Sequence, residues 1–318
     1  MKIGFSSEVV DLNNQAPNRN KRECKYYWDE LYGLISAAGF QYMEMSYQPK
    51  WDFGCRSGIP LTKRSIMVKY QNYENYLKKL QENDLKGICC VHFDPSMFCS
   101  GNADMYFGAF MHFAEEAIDY TKGLNGEILS ISATPCYYNV KSCCPEETDF
   151  AEYEKEFLSK TAGAIEAIAK MAKEAGLKLC IRNDYWTLLR GEKIVSFVKE
   201  LKEEVYIDAD TANLKAAGVD PAKFIKEHYD LIGVVHYTDT KFVDDQEAYL
   251  QAMPEFPAKA PTKVFRDIGQ GDIDFKEIET ILEEKGYDGT VVYNCRNSYQ
   301  ESVSLLRTRF YIQNKLGK

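Results

Sequence analysis

Short runs of β-branched and apolar residues alternate with longer amphipathic runs, eight times along the chain. The short runs, Lys2–Ser6, Tyr42–Ser46, Gly87–His92, Glu127–Ser132, Lys178–Asp184, Val205–Asp210, Leu231–His236 and Thr290–Asn294, are predicted strands. The longer runs are predicted helices; in Tyr153–Ala175, Ile165, Ile168, Ala169 and Ala172 share one face at a 3.6-residue period. Gly39, Gly123, Gly176 and Gly286 each close a helical run and precede Phe40, Leu124, Leu177 and Tyr287. That is the pattern of a left-handed cap followed by a hydrophobic contact. Helix starts are marked by Asp220–Pro221 and by Asp274 with Glu277. Eight strand–helix units predict an α/β fold, a (β/α)8 TIM barrel covering residues 1–318 as one domain. A doubly wound open sheet is the alternative, since periodicity alone does not determine closure.

The last four strand segments close on charged or amide side chains: LKLCIRND, VYIDADTAN, IGVVHYTD and TVVYNCRN. In a barrel, such strand ends face the C-terminal mouth, where active sites are built. The longest irregular stretches, 47–63, 133–147 and 237–272, follow the second, fourth and seventh strands and so lie on the same face. Their Trp51, Phe53, Tyr137, Tyr138, Phe242, Tyr249 and Phe256 suit walls or a lid over a small polar ligand, or an oligomer interface.

With 39 Lys and Arg against 48 Asp and Glu, the chain carries −9 and shows no basic block. Nucleic acid is therefore a disfavoured partner. No run approaches the roughly 18 apolar residues of a membrane helix, and the N-terminus lacks an apolar signal core. A cytoplasmic protein without a membrane partner is the simplest expectation. The ten cysteines include two adjacent pairs but no C-x-x-C, which is not a zinc or iron–sulfur pattern. Cys89, Cys90 and Cys180 fall inside apolar strand runs and are read as small reduced hydrophobes.

Segments 205–239 and 264–298 resemble the xylose-isomerase-like barrel superfamily of sugar isomerases, epimerases, inosose dehydratases and type IV apurinic endonucleases. The stretches that carry the resemblance are DADTANLKAAGVDPAKFIKEHYDLIGVVHYTD and FRDIGQGDIDFKEIETILEEKGYDGTVVYN. Proteins of that superfamily usually hold a divalent metal, such as Mn or Mg, with Glu, Asp, His and Glu from strands 5 to 8. The resemblance carries those positions onto Arg182, Asp210, His236 and Asn294; a further family histidine falls on Asn213 and a family lysine on Thr238. Two positions match and two depart. A guanidinium about 4 Å from a divalent ion, at an effective dielectric near 20, costs several kcal/mol, and arginine stays protonated. The inherited metal site should be lost or weakened, unless Asp184 joins Asp210 and His236 as a substitute ligand.

The same pocket is open to a different chemistry. Arg182 is expected to pair with Asp210 or Glu44, or to hold an anionic oxygen of the ligand. His236, Glu44, Asp239 and His92 are the proton-transfer candidates. His92, Asn213, Asn294 and Arg296 are further candidates for substrate contact, Arg296 alternatively capping the last helix. His112 and His228 lie on helical runs and read as structural. The activity implied is sugar or polyol isomerisation or epimerisation by proton transfer next to a carbonyl. The alternatives are a lyase, a dehydratase or a C-glycoside-deglycosylating enzyme acting on an oxidised sugar, and a non-catalytic barrel or partner subunit. The expected ligand is a small carbohydrate, with no nucleotide cofactor; dimers and tetramers are common among proteins resembling this one.

Overall fold

The structure is a computed structural model that describes residues 1–12, 19–53, 58–257 and 263–317. Its strands are β1 (Lys2–Ser6), β2 (Tyr42–Tyr47), β3 (Gly87–Phe93), β4 (Ile128–Ile131), β5 (Lys178–Arg182), β6 (Tyr206–Asp210), β7 (Ile232–Thr240), β8 (Phe265–Arg266) and β9 (Thr290–Asn294). All but β8 run parallel, each beside its predecessor from β1 to β7, and β9 lies between β7 and β1. The β6–β7 and β7–β9 pairings close the sheet, which excludes the open doubly wound alternative. The chain is a (β/α)8 barrel. The two-residue β8 runs antiparallel to the end of β7, pairing Phe265 with Thr240 and Arg266 with Asp239, and so ties the long loop after β7 to the barrel rim.

The helices form where the apolar stripe and the caps coincide. The helix Phe150–Glu174 starts at Asp149, whose carboxylate accepts from the N–H groups of Ala151 and Glu152, and it buries Phe157, Ile165, Ile168, Ala169 and Ala172. Asp220 and Asp274 cap their helices as expected, accepting from Lys223 and Glu277. Gly39, Gly176 and Gly286 have positive φ, but Gly123 does not: it ends the helix Ala103–Gly123, and Asn125 takes the left-handed position at φ 54°. Gly123 is required for another reason, because a Cβ there would lie 2.4 Å from the Tyr73 ring.

Two cores result. The larger lies between the outer strand faces and the helices; the smaller lies inside the barrel and consists of Cys89, Cys90, Ile128, Cys180, Val234 and Val292. Gly4 and Gly233 make room for thiols there, since a Cβ at these positions would meet Cys89 Sγ at 2.5 Å and Cys180 Sγ at 2.4 Å. These cysteines pack as small hydrophobes, as their apolar surroundings predict; Cys55 lies outside the described residues. Above this plug the inward positions turn polar: Cys180 gives way to Arg182 on β5, and Val234 to His236 and Thr238 on β7. Among the described residues no helix is long and apolar enough to cross a membrane.

Candidate active site

β5 ends by delivering Arg182 into the barrel, where its side chain is fully buried. A buried guanidinium must be paired. Its Nε donates to Asp208 Oδ2 (2.9 Å), its Nη1 to Glu8 Oε1 and Oε2 (3.1 and 3.3 Å), and its Nη2 to Glu44 Oε2 (3.2 Å). His236 closes the ring, with Nδ1 2.5 Å from Asp208 Oδ1 and Nε2 2.6 Å from Glu44 Oε2. The remaining carboxylate lone pairs accept hydroxyls, from Ser6 to Glu44 Oε1 (2.7 Å) and from Ser130 to Asp208 Oδ2 (2.5 Å). Glu8 reaches the network from a one-turn 3-10 helix, Ser7–Val9, capped by Ser6.

The charges in this network sustain one another. Burial alone would raise the Glu44 and Asp208 carboxyls, but His236 and Arg182 outweigh it and hold both below their usual range. Glu8 is likewise pushed up by burial and brought well below its usual range by Arg182, Arg296 and His92. Burial would lower His236, yet Asp208 and Glu44 raise it to about 10 against the opposition of Arg182, so it is an imidazolium at neutral pH. Its Nε2 lies 3.1 Å from Arg182 Nη2, a like-charge contact that only the flanking carboxylates make tolerable. Three carboxylates against two cations leave the network with one negative charge.

Above the network opens a cavity of about 580 Å³ at the C-terminal mouth. Its polar side includes Glu8, Ser46, His92 and Arg296, and its apolar side Leu12, Met97, Trp186 and Phe256; Arg182, Glu44 and His236 are not in the lining. His92 Nδ1 lies 2.8 Å from Glu8 Oε1, and its Nε2 lies 3.2 Å from Ser132 Oγ, whose hydroxyl donates to Asp184 Oδ2 at 2.6 Å. The Arg296 guanidinium lies 5.1 Å from the ring centroids of both Trp186 and Phe265. Its acidic neighbours, Asp184 Oδ1 and Glu255 Oε1, stand at 3.6 and 3.9 Å. Ser46 Oγ, Asn294 Oδ1 and Arg296 Nη1 are buried without a hydrogen-bond partner among the described residues. Such spare donors and acceptors around a cavity call for an oxygen-rich ligand.

The structure distributes the sequence-predicted residues over three tiers. Glu44, Arg182 and His236 form the sealed network, and the partners of Arg182 are Asp208, Glu8 and Glu44 rather than Asp210. His92 and Arg296 line the cavity, and Asn294 stands beside them, donating from Nδ2 to Glu8 Oε2 (2.7 Å). Asp210, Asn213 and Asp239 hold backbone and loops, and the Asp184 carboxylate accepts from the side chains of Ser132 and Asn213. Asp210 caps the helix Thr211–Ala216 through Asn213 N–H and accepts the Thr238 hydroxyl (2.6 Å), and burial raises its carboxyl. Asn213 accepts from Tyr185 N–H and donates to Asp184. Asp239 accepts from the N–H groups of Gly269 and Gly271. His228 contacts Glu192, and His112 is exposed on its helix. Of the loop aromatics expected to form walls, Phe256 lines the cavity; Trp186, which the loop reading missed, does so too.

The match to known proteins agrees with this architecture. The family model described as xylose isomerase-like TIM barrel matches residues 33–309. The chain belongs to the xylose isomerase-like TIM barrel family. It is 27% identical to an inosose dehydratase of Clostridium tetani (strain Massachusetts / E88) over 54% of this chain and 57% of that protein. An inosose dehydratase of Yersinia enterocolitica (serotype O:8 / biotype 1B) is 24% identical over 78% of this chain and 84% of its own. The matched stretch thus spans little more than half of the first relative's length. The solved D-allulose 3-epimerase of Methylomonas sp. superposes with a TM-score of 0.67 at 13% identity, over 98% of this chain and 97% of that one, and shares the fold.

The divalent ion implied by membership of this xylose isomerase-like family does not fit the residues present. Asp210 spends its oxygens on Thr238 and Asn213, both ring nitrogens of His236 face carboxylates, and Arg182 engages Glu8, Glu44 and Asp208. Among the described residues no group of three or more His, Cys, Asp or Glu is arranged to hold a metal, the set Asp184, Asp210 and His236 included.

Proposed function

We propose that the chain is a lyase that removes water from a polyhydroxylated carbonyl compound, a keto-sugar or keto-cyclitol, in the cavity above Arg182. The observation that carries this reading is the Glu8–His92 carboxylate–imidazole pair at 2.8 Å on the cavity wall, with an amide, Asn294, on β9 where the family resemblance places a carboxylate. Epimerisation removes a proton from one face of a carbon and delivers one to the other, so it needs groups on both faces. Elimination needs one group that takes the carbon-bound proton and then protonates the departing hydroxyl, which a single imidazole can do.

In this mechanism His92 Nε2, leaving its 3.2 Å contact with Ser132 Oγ, takes the proton next to the carbonyl, and the C–H electron pair forms an enolate. Glu8, held ionised by Arg182, Arg296 and His92, orients the ring and stabilises the imidazolium. Arg296 Nη1, without a hydrogen-bond partner among the described residues, donates to the enolate oxygen. The imidazolium then gives its proton to the β-hydroxyl, which leaves as water while the enolate collapses to a conjugated double bond. The inosose dehydratases among the relatives support this substrate class.

Keto-inositol, D-allulose and related ketoses, incubated with the protein and followed by mass spectrometry, test the reading. A product lighter by one water, absent with Glu8→Gln and His92→Gln, is expected. An isobaric product would instead establish epimerisation, and no turnover on any ketose or keto-cyclitol would favour the non-catalytic barrel.

A further inference from the structure

We propose that the Arg182 guanidinium is a built-in cation that replaces a divalent metal, and that removing it uncovers a cation site formed by the carboxylates of Glu8, Glu44 and Asp208. The inference does not depend on which reaction the cavity supports.

The donor geometry argues for it. Three carboxylates from three separate elements, the turn after β1, β2 and β6, converge on one guanidinium at 2.9 to 3.2 Å. The cluster has no other fully buried cation except His236, which itself bridges two of the same carboxylates. A merely structural arginine needs one carboxylate partner, and this one has three, so the surroundings demand more positive charge than an ordinary ion pair would. Without the guanidinium, three carboxylates, of which Glu44 and Asp208 are fully buried, would face a single imidazolium, an arrangement stabilised if a cation enters or protons are taken up. Carboxylate oxygen donors suit a hard divalent ion such as Mn. The planar fork also explains why arginine is used: its Nε and two Nη groups each address a different carboxylate, which a lysine point charge cannot do.

The test compares the wild type with Arg182→Glu and Arg182→Gly. Each protein is loaded with Mn, Co or Zn, desalted and assayed for bound metal, and its melting temperature is recorded with metal, with chelator and with low-millimolar guanidinium against equal sodium chloride. The wild type should retain no stoichiometric metal and melt at the same temperature with or without chelator. Arg182→Glu should retain about one equivalent, with a melting temperature, or a refolding yield if it is insoluble, that rises with metal and falls with chelator. Arg182→Gly should be stabilised by guanidinium but not by sodium chloride. A wild type that holds one equivalent and is destabilised by chelator overturns the proposal. So does the failure of both metal and guanidinium to raise the melting temperature or refolding yield of either variant.

Discussion

His236 Nδ1 lies 2.5 Å from Asp208 Oδ1, so the β6 partner of His236 is Asp208 and not Asp210. Asp208 also accepts from Arg182 and Ser130, so one carboxylate holds together groups from β4, β5 and β7. Asp208→Asn should therefore cost about 3–5 kcal/mol, the range for removing one partner of a buried charge pair. Asp210→Asn keeps a capping oxygen and disturbs one hydroxyl contact, and should cost about 0.5–1.5 kcal/mol. Urea denaturation of the two variants measures the difference; equal losses would contradict the assignment.

The pH dependence of stability follows from His236. Burial disfavours its charge, but Asp208 and Glu44 outweigh burial and the nearby Arg182, raising it from 6.5 to about 10. A base raised on folding contributes fully below its unfolded value and loses that contribution as pH climbs through the folded one. Stability should therefore fall between about pH 6.5 and 10, by an upper bound on the order of 5 kcal/mol. Denaturant midpoints at pH 6 and pH 9.5 check this; a higher midpoint at pH 9.5 would contradict it.

The barrel was readable from the chain because its eight strands and their caps are local signals, such as Asp220 before Pro221. The site was readable only in part. Arg182 and His236 declared themselves as polar ends of apolar strands, but their partner did not. Asp208 and Asp210 both point inward by alternation, and which one stands level with Arg182 depends on the register between β5 and β6, where Arg182 pairs with Asp208. The β6–β7 ladder adds an irregularity between Ile207 and Asp208. Register across a barrel depends on closure, which no local pattern encodes. Glu8 was missed for a related reason: it lies beyond β1 on a short turn, and only the closed barrel brings it to Arg182, 174 positions away in sequence.

The loop after β7 is tied down at Asp239, and Gly271 permits it. Asp239 Oδ2 accepts from Gly269 N–H (2.8 Å) and Gly271 N–H (2.9 Å), and a Cβ on residue 271 would lie 1.9 Å from Asp239 Oδ1 and 2.6 Å from Thr240 N. Gly271→Ala must displace the carboxylate or the strand end. A loss of about 2–4 kcal/mol and faster proteolytic cleavage within 241–272 are expected. Unchanged cleavage would show that Asp239 does not anchor the loop.

Arg296 separates a ligand-binding role from a structural one. Its guanidinium packs against both Trp186 and Phe265, and its acidic neighbours at 3.6 and 3.9 Å are too distant to satisfy Nη1. Arg296→Lys keeps the charge and much of the packing but removes the fork of donors. If Nη1 stabilises an enolate oxygen, the variant should lose about 10²–10³-fold in kcat, the cost of removing one oxyanion donor, with little change in KM. Its melting temperature should stay near the wild-type value, because the lost hydrogen bonds are made to the ligand. The dehydration assay and a thermal melt on the same preparation distinguish the roles: a lower melting temperature with kcat retained would make Arg296 a structural clamp between Asp184 and Glu255.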